Sequence, residues 1–134
     1  MARHRPIVVP RPDRVRRLEG APFGWLDTRL LRQGWLRALS PEATAVYTFL
    51  CLVANRQGVS YYRRDRIAAE VGLSEEALYR ALARLRELEL VAYAPFRAGA
   101  ADGFHQVLAL PPGPAPQGLP ALVESLADRL GRPR

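Results

Sequence analysis

Two helical patterns separated by a glycine turn constrain this chain more than any other feature. In the stretch DRIAAEVGLSEEALYRALARL, apolar residues recur at helical spacing on both sides of Gly72. Glycine tolerates the left-handed backbone that ends one helix, and the hydroxyl of Ser74 can cap the free amides of the next. The small Ala68 lets the two helices approach closely. The pattern predicts a helix over 63–71, a tight turn, and a helix over 74–89.

The helix before this pair has a strong start signal. Ser40-Pro41-Glu42 combines a capping hydroxyl, a proline suited to the first helical position and an acidic residue at the positive dipole end. A helix is predicted from there to about Arg56, ending at Gly58. It is apolar nearly all round, so it must be covered on more than one side. The available covers are the segment containing Trp25 and Trp35, and a second copy of the protein.

Strand-like runs follow the helices. The runs 90–96 (LVAYAPF) and 104–110 (FHQVLAL) are separated by RAGAADG, which predicts a hairpin with a flexible tip. A short extended piece is predicted at 59–62. Between Phe23 and Leu39, two short helical faces are separated by Gly34. The fold predicted is mainly α with a small β-hairpin.

Charge is distributed unevenly along the 134 residues, whose net charge is +7 and whose 20 cations are all arginine. Residues 1–17 hold six arginines and one aspartate, whereas residues 41–110 hold eight arginines and eight acidic residues. The predicted domain is therefore neutral and the N-terminal region basic. Its prolines discourage helix, so residues 1–22 are predicted to form an extended arm.

Several classes of protein are not expected. The single Cys51 excludes an intramolecular disulfide and a thiolate zinc cluster. No metal-ligand spacing, phosphate loop, paired-carboxylate site or nucleophile motif is recognisable, so we expect neither an enzyme nor a cofactor. The N-terminus lacks a signal-peptide pattern. The longest apolar stretch, 46–54, is less than half of the roughly 20 residues that a membrane span needs. A cytoplasmic, nucleoid-associated location is expected.

The helix pair resembles a helix-turn-helix, and with the hairpin that follows, residues 23–110 look like a winged helix-turn-helix domain. The stretch is similar to helix-turn-helix domains of bacterial and phage replication initiators and related regulators. That resemblance implies binding of double-stranded DNA, with the helix over 74–89 in the major groove. The hairpin, as the wing, would lie on the backbone or in the minor groove. The uneven charge, and not the resemblance, suggests the same position for the arginine arm.

The same resemblance assigns DNA contacts to the outward face of that helix, the start of the helix before it and the wing. The contrast between the neutral domain and the basic N-terminal region adds the arm to these contacts. Arg80 is the best candidate for reading guanine, because arginine pairs bidentately with that base. Glu75 and Glu76 depart from a basic reading face, and stabilisation of the helix dipole explains them better than base recognition. The assigned residues are Ser74, Glu76, Tyr79, Arg80, Arg84, Arg63, Arg64, Arg97, His105, Arg3, Arg5, Arg11, Arg14, Arg16 and Arg17.

The C-terminal part divides into a proline- and glycine-rich linker, 111–118, and a short amphipathic helix with a tail, 119–134. An apolar stripe over 119–130 could fold back on the domain, form a dimer contact or dock on another protein.

Two function classes stay open. One is a DNA-binding homodimer, acting in transcription regulation or in a replication or mobile-element system. The other is a winged domain used for protein contact, which the neutral body and the Glu75-Glu76 pair support. RNA binding through the arm is a weaker third possibility.

Overall fold

The computed structural model describes residues 6–17, 19–20 and 22–116. A 3-10 turn at Pro12–Arg14 lies in the arm. The regular elements that follow are α1 (Arg29–Arg32), α2 (Trp35–Ala38), α3 (Pro41–Val53), β1 (Val59–Ser60), α4 (Arg64–Val71), α5 (Glu75–Glu87), β2 (Val91–Pro95) and β3 (Gly103–Val107). The arrangement is a winged helix-turn-helix, mostly helical with a small antiparallel sheet, as the sequence predicted.

The predicted caps set the helix boundaries. Ser40 Oγ accepts the Ala43 N–H at 3.0 Å, and Ser74 Oγ accepts the Ala77 N–H at 3.0 Å. Gly72 has φ +71° and its N–H donates to the Ala68 carbonyl, so it ends α4 in the left-handed conformation. Local sequence chemistry therefore fixes the turn between α4 and α5.

Helix α3 ends at Val53, three residues before the predicted end. The reason is the side chain of Asn55, whose Oδ1 accepts the N–H groups of Gln57 at 2.8 Å and Val59 at 3.0 Å. These bonds offer the backbone a turn in place of another helical turn. The turn leads directly into β1.

The covers of α3 differ in part from the prediction. Trp35 is buried in the core that it shares with α3, whereas Trp25 is 75% exposed. Helices α4 and α5 and strands β1 and β3 supply the remaining cover. Their leucines and isoleucine join Val46 and Leu50 in one core. The neighbouring elements of the same domain thus cover one side of a helix that has almost no polar face, while Leu52 stays 61% exposed.

The sheet has the strand order β1-β3-β2, all antiparallel. Strands β2 and β3 form the predicted hairpin, the wing. The extended piece at 59–60 pairs with β3 on its other side, which places Ser60 and Tyr93 opposite His105. The central strand is therefore β3, and the root of the wing is continuous with the domain.

The predicted linker is attached to the domain at Ala115. Leu110 is buried, and the Ala115 N–H donates to the Gln33 carbonyl at 2.7 Å. A Pro/Gly-rich composition predicts extended chain but not whether the domain holds it. The predicted helix over 119–130 lies outside the described residues, as do Arg3 and Arg5 in the arm. In the described part of the chain, no helix has the length and apolar character needed to cross a membrane.

Candidate nucleic-acid interface

The outward face of α5 is bare. Its inward residues Leu78, Leu82 and Leu85 are buried in the core. On the opposite face Tyr79 is 64% exposed and the Arg80 side chain is 66% exposed. Ser74, Glu75 and Glu76 are also exposed, while Arg84 is half-buried. The face predicted from helical spacing is thus accessible along its first three turns.

Carboxylates pair with the arginines on this face. Arg80 Nη1 lies 3.1 Å from Glu76 Oε1, one helical turn earlier. Arg84 Nη1 bonds to Glu87 Oε1. Both pairs lie at the surface, where an ion pair contributes less than about 1 kcal/mol, so a phosphate or a base edge can displace the carboxylate. Glu76 therefore competes with any group that Arg80 would bind.

The start of α4 is held by the wing. Asp102, in the loop before β3, accepts the Arg64 N–H at 2.9 Å and lies 3.5 Å from Arg64 Nε. Arg63, the residue at the cap position, supplies no side-chain cap of its own. Its guanidinium pairs instead with Asp65 at 3.2 Å. Sequence reasoning missed Asp102, because a cap 38 residues away leaves no local signal.

A stack of three side chains joins the wing to α5. The guanidinium carbon of Arg86 lies 5.3 Å from the centre of the Tyr93 ring, in cation–π geometry. The Tyr93 ring lies 5.1 Å from the ring of His105. Together with Asp102, the stack fixes the wing beside both helices of the helix-turn-helix. Sequence analysis did not assign a role to Arg86 or Tyr93.

The position of His105 is incompatible with the predicted DNA contact. Its side chain faces inward from the middle of β3 and is 2% exposed, and its Nδ1 has no hydrogen-bond partner within the described ranges. Burial, followed by the cations of Arg86 and Arg64, lowers the pKa of His105. Alternation along β3 turns Phe104 outward and His105 inward, and the contact therefore cannot form while the wing is folded.

The tip of the wing carries an exposed cation and an aromatic pair. Arg97 lies in the loop after β2 and is exposed, without a carboxylate partner in the part of the chain that the structure describes. Phe96 and Phe104 meet edge to face, with ring centres 5.0 Å apart. A cation on a small apolar tip is suited to approach a phosphate or a groove.

Residues 6–17 of the arm are exposed throughout. Arg11 is paired with Asp13 through two hydrogen bonds, at 3.0 and 2.8 Å. This bonding raises the pKa of Arg11 and lowers that of Asp13. Arg14, Arg16 and Arg17 have no carboxylate partner among the residues described. These three arginines are the largest group of uncompensated charge in the described arm.

Cys51 belongs to the core side of the molecule. It lies half-buried on α3, and burial raises the pKa of its thiol. Tyr47, one turn earlier, is buried, and its pKa is raised by the same cause. Both line a cleft of about 340 Å³ between α3, the segment before α1 and the chain after β3. A protonated thiol in this setting fits the interpretation of Cys51 as a small core residue.

Residues 36–91 match a family model described as a helix-turn-helix domain. The match spans α2 to the first residue of β2, and includes both helices of the turn. The rest of β2 and the whole of β3 lie beyond the match. No curated protein and no solved structure was significantly similar to the chain.

Proposed function

We propose that this protein binds double-stranded DNA, with α5 in the major groove and the wing and arm on the backbone or in the minor groove. The observation that carries the proposal is the bare outward face of α5, held between the wing and α4. A helix whose opposite face is fully packed, and whose neighbours are fixed by Asp102 and the Arg86–Tyr93–His105 stack, presents its side chains rigidly. Rigid presentation is what base reading requires.

In this proposal Arg80 exchanges Glu76 for guanine. The exchange costs little, since the Arg80–Glu76 pair is solvent-exposed on both sides. Ser74 and Tyr79 lie on the same exposed face and supply hydroxyls for phosphate or base contacts. Arg63 and Arg97 approach the backbone on either side. In this proposal these side chains bind DNA and do not catalyse a reaction.

The role proposed at the level of the cell is that of a transcription regulator or the DNA-binding part of a replication or mobile-element system. A homodimer is proposed as well. Two half-sites are the usual way in which a small domain gains affinity and symmetry. Selection of bound duplexes from a random pool tests the homodimer, because a homodimer selects a two-fold symmetric consensus. A single asymmetric site would contradict the dimer.

The DNA interface is tested by anisotropy titrations of the selected duplex. Arg80→Ala is expected to lose about 1–3 kcal/mol, a reduction in affinity of roughly 5- to 150-fold, and to relax preference at one position. Glu76→Gln, which removes the competing carboxylate, is expected to strengthen binding. Arg56→Ala is the matched control, since it removes an exposed cation from the turn after α3. An unchanged affinity with Arg80→Ala would remove α5 from the interface.

Protein contact is the second candidate function. It is favoured by the equal numbers of arginines and acidic residues over 41–110, and by the ion pairs that neutralise α4 and α5. If random and selected duplexes bind equally weakly, and only through the arm, this function replaces the first. Single-stranded DNA and RNA in the same titrations test the arm as a general nucleic-acid binder.

A further inference from the structure

The outward face of the wing carries aromatic side chains where the solvated face of a sheet is usually polar. Phe104 pairs with Ala94 in the register of β2 and β3, and it lies on the face opposite to that of the buried His105. Phe96 follows β2, and its N–H donates to the Asp102 carbonyl at 3.0 Å, so the hairpin bonding continues to this residue. Phe96 and Phe104 are each 42% exposed. We call these two residues the phenylalanine pair.

The rings of the phenylalanine pair support each other. They meet edge to face with their centres 5.0 Å apart, an arrangement that aromatic pairs prefer. An aromatic pair across two strands stabilises a hairpin by only about 0.2–1 kcal/mol. The contact leaves a large part of each ring in water. Stabilisation of the hairpin therefore explains the contact between the rings but not their exposed apolar surface.

The phenylalanine pair is carried at a fixed position beside the helix-turn-helix. The Asp102 carbonyl accepts the Phe96 N–H, and the Asp102 carboxylate accepts the Arg64 N–H at the start of α4 at 2.9 Å. One residue thus links the pair to α4. On the inner face of the same hairpin, the cation–π contact between Arg86 and Tyr93 joins the wing to α5. The pair therefore keeps its place relative to the helix proposed to read DNA.

Positive charge lies beside the pair. Arg97 follows Phe96 directly, is exposed, and has no carboxylate partner among residues 6–17, 19–20 and 22–116. Arg63, at the start of α4, pairs with Asp65 only at the surface. Exposed apolar rings next to cations are the combination with which minor-groove proteins enter a base step. This charge favours DNA over an apolar protein surface as the partner of the rings.

We infer that the phenylalanine pair enters the minor groove beside the bases read by α5 and wedges open a base step, with Arg97 on the adjacent backbone. The inference rests on the proposed binding of duplex DNA and adds a deformation of the duplex to it. A wedge of this kind kinks DNA by about 20–90° toward the major groove. Pyrimidine–purine steps open most easily, so the wing selects such a step outside the bases that α5 contacts.

Energy transfer between dyes at the two ends of the selected duplex measures the bend. The unchanged chain is expected to shorten the distance between the ends. The Phe96→Thr/Phe104→Thr variant should lose most of this change but keep the base preference that depends on Arg80, since threonine retains strand preference without a ring. Phe23→Thr is the matched control, because it removes a 65% exposed phenylalanine from the segment before α1. It should bend DNA like the unchanged chain.

An apolar but non-aromatic replacement separates wedging from the contact between the rings. Leucine also serves as a wedge, so the Phe96→Leu/Phe104→Leu variant should retain part of the bend. Thermal melting of each variant shows that it is folded. A threonine variant that bends the duplex as strongly as the unchanged chain would overturn the inference.

The fluorescent base aminopurine, placed in turn at each step that flanks the site, reports the opened step in the unchanged chain and needs no variant. Its fluorescence should rise at one step on binding, since unstacking removes its quenching, and replacing that step by a stiff A-tract should weaken binding. Binding that depends on Arg80, without a bend or a rise at any step, would overturn the wedge and leave the proposed function standing. Failure of the unchanged chain to bind any duplex would overturn both.

Discussion

The carboxylate of Asp102 joins the wing to the start of α4. It occupies the capping position of α4 that Arg63 leaves open, and it is three-quarters buried by side-chain area. We predict that Asp102→Ala lowers the free energy of unfolding by about 1–2 kcal/mol, the loss typical of a helix cap. Urea denaturation measures it. Asp65→Ala removes an exposed carboxylate from the same helix and should cost under about 0.5 kcal/mol.

A second prediction at this scale concerns His105 and pH. Because burial and then the cations of Arg86 and Arg64 lower its pKa below the ordinary 6.5, the unfolded chain takes up this proton before the folded one. The contribution of His105 to the free energy of unfolding is therefore complete above about pH 6.5, and it is lost as the pH falls below that value. Asp102 opposes the shift, and the Tyr93 ring lies 5.1 Å from the imidazole ring in a tilted arrangement.

Urea denaturation at several pH values between about 7.5 and 5 measures this dependence. The measured quantity is the slope of the free energy of unfolding against pH. In His105→Gln, the part of this slope that comes from the histidine should disappear, and the part that comes from the carboxyl groups should remain. His4→Gln removes the other histidine and is the matched control. A slope that is identical in His105→Gln and the unchanged chain would contradict the assignment.

At the scale of elements, the wing depends on the close approach of its two strands. A Cβ added to Gly103 would collide with the carbonyl oxygen of Ala94 and the backbone of Pro95 across the hairpin. We predict that Gly103→Ala lowers the free energy of unfolding by about 2–3 kcal/mol, since the strands must separate. Hydrogen exchange should show the loss as faster exchange of β2 and β3 amides.

Gly99→Ala is the comparison that isolates this clash. Gly99 has φ +80° in the wing tip, and no atom lies within 4 Å of an added Cβ. Only the strain of the left-handed backbone remains, about 1–2 kcal/mol. Equal losses for the two variants would mean that the strand approach at Gly103 is not the limiting feature of the wing.

At the scale of elements, features set by neighbouring residues could be predicted from the sequence, and contacts between distant residues could not. The caps of Ser40 and Ser74, the Gly72 turn and the hairpin all arise from residues within a few positions of each other, and each was predicted. The extended piece at 59–60 was predicted too, but its pairing with β3 was not. That pairing, the Asp102 cap and the burial of His105 depend on contacts with residues more than 35 positions away. Hydrophobic period and turn chemistry carry no information on such partners.

The candidate site divides in the same way. Exposure of Tyr79 and Arg80 followed from the 3.6-residue period of α5, which also predicted the buried leucines. The four-residue spacing of Glu76 and Arg80 predicts their ion pair, yet the acids were explained by the helix dipole and by protein contact, and Glu76 was also assigned to the DNA contacts. His105 was assigned to the DNA surface because the face of a strand depends on register, which the run FHQVLAL does not fix.

At the scale of the whole molecule, the domain provides a rigid surface and the arm provides positive charge. The domain presents a rigid, nearly neutral face, and the arm presents three arginines without carboxylate partners among the described residues. Shape recognition would then come from α5 and salt-dependent affinity from the arm. A protein divided in this way should lose affinity without losing sequence preference when the arm is removed.

The slope of log affinity against log salt measures that division. Each neutralised phosphate contributes about 0.9 to the slope, so five arm charges correspond to about four to five units. We predict a decrease of that size for a chain that begins at Leu18, with the selected consensus unchanged. Replacing Arg14, Arg16 and Arg17 with glutamine should account for about 2.7 units, whereas Arg11→Gln should change the slope less, since Asp13 already pairs with that guanidinium. Equal slopes with and without the arm would show that the arm makes no phosphate contacts. The salt-dependent part of the affinity would then have to come from the wing and the start of α4. Arg97, in the wing, is the first residue to replace in that case.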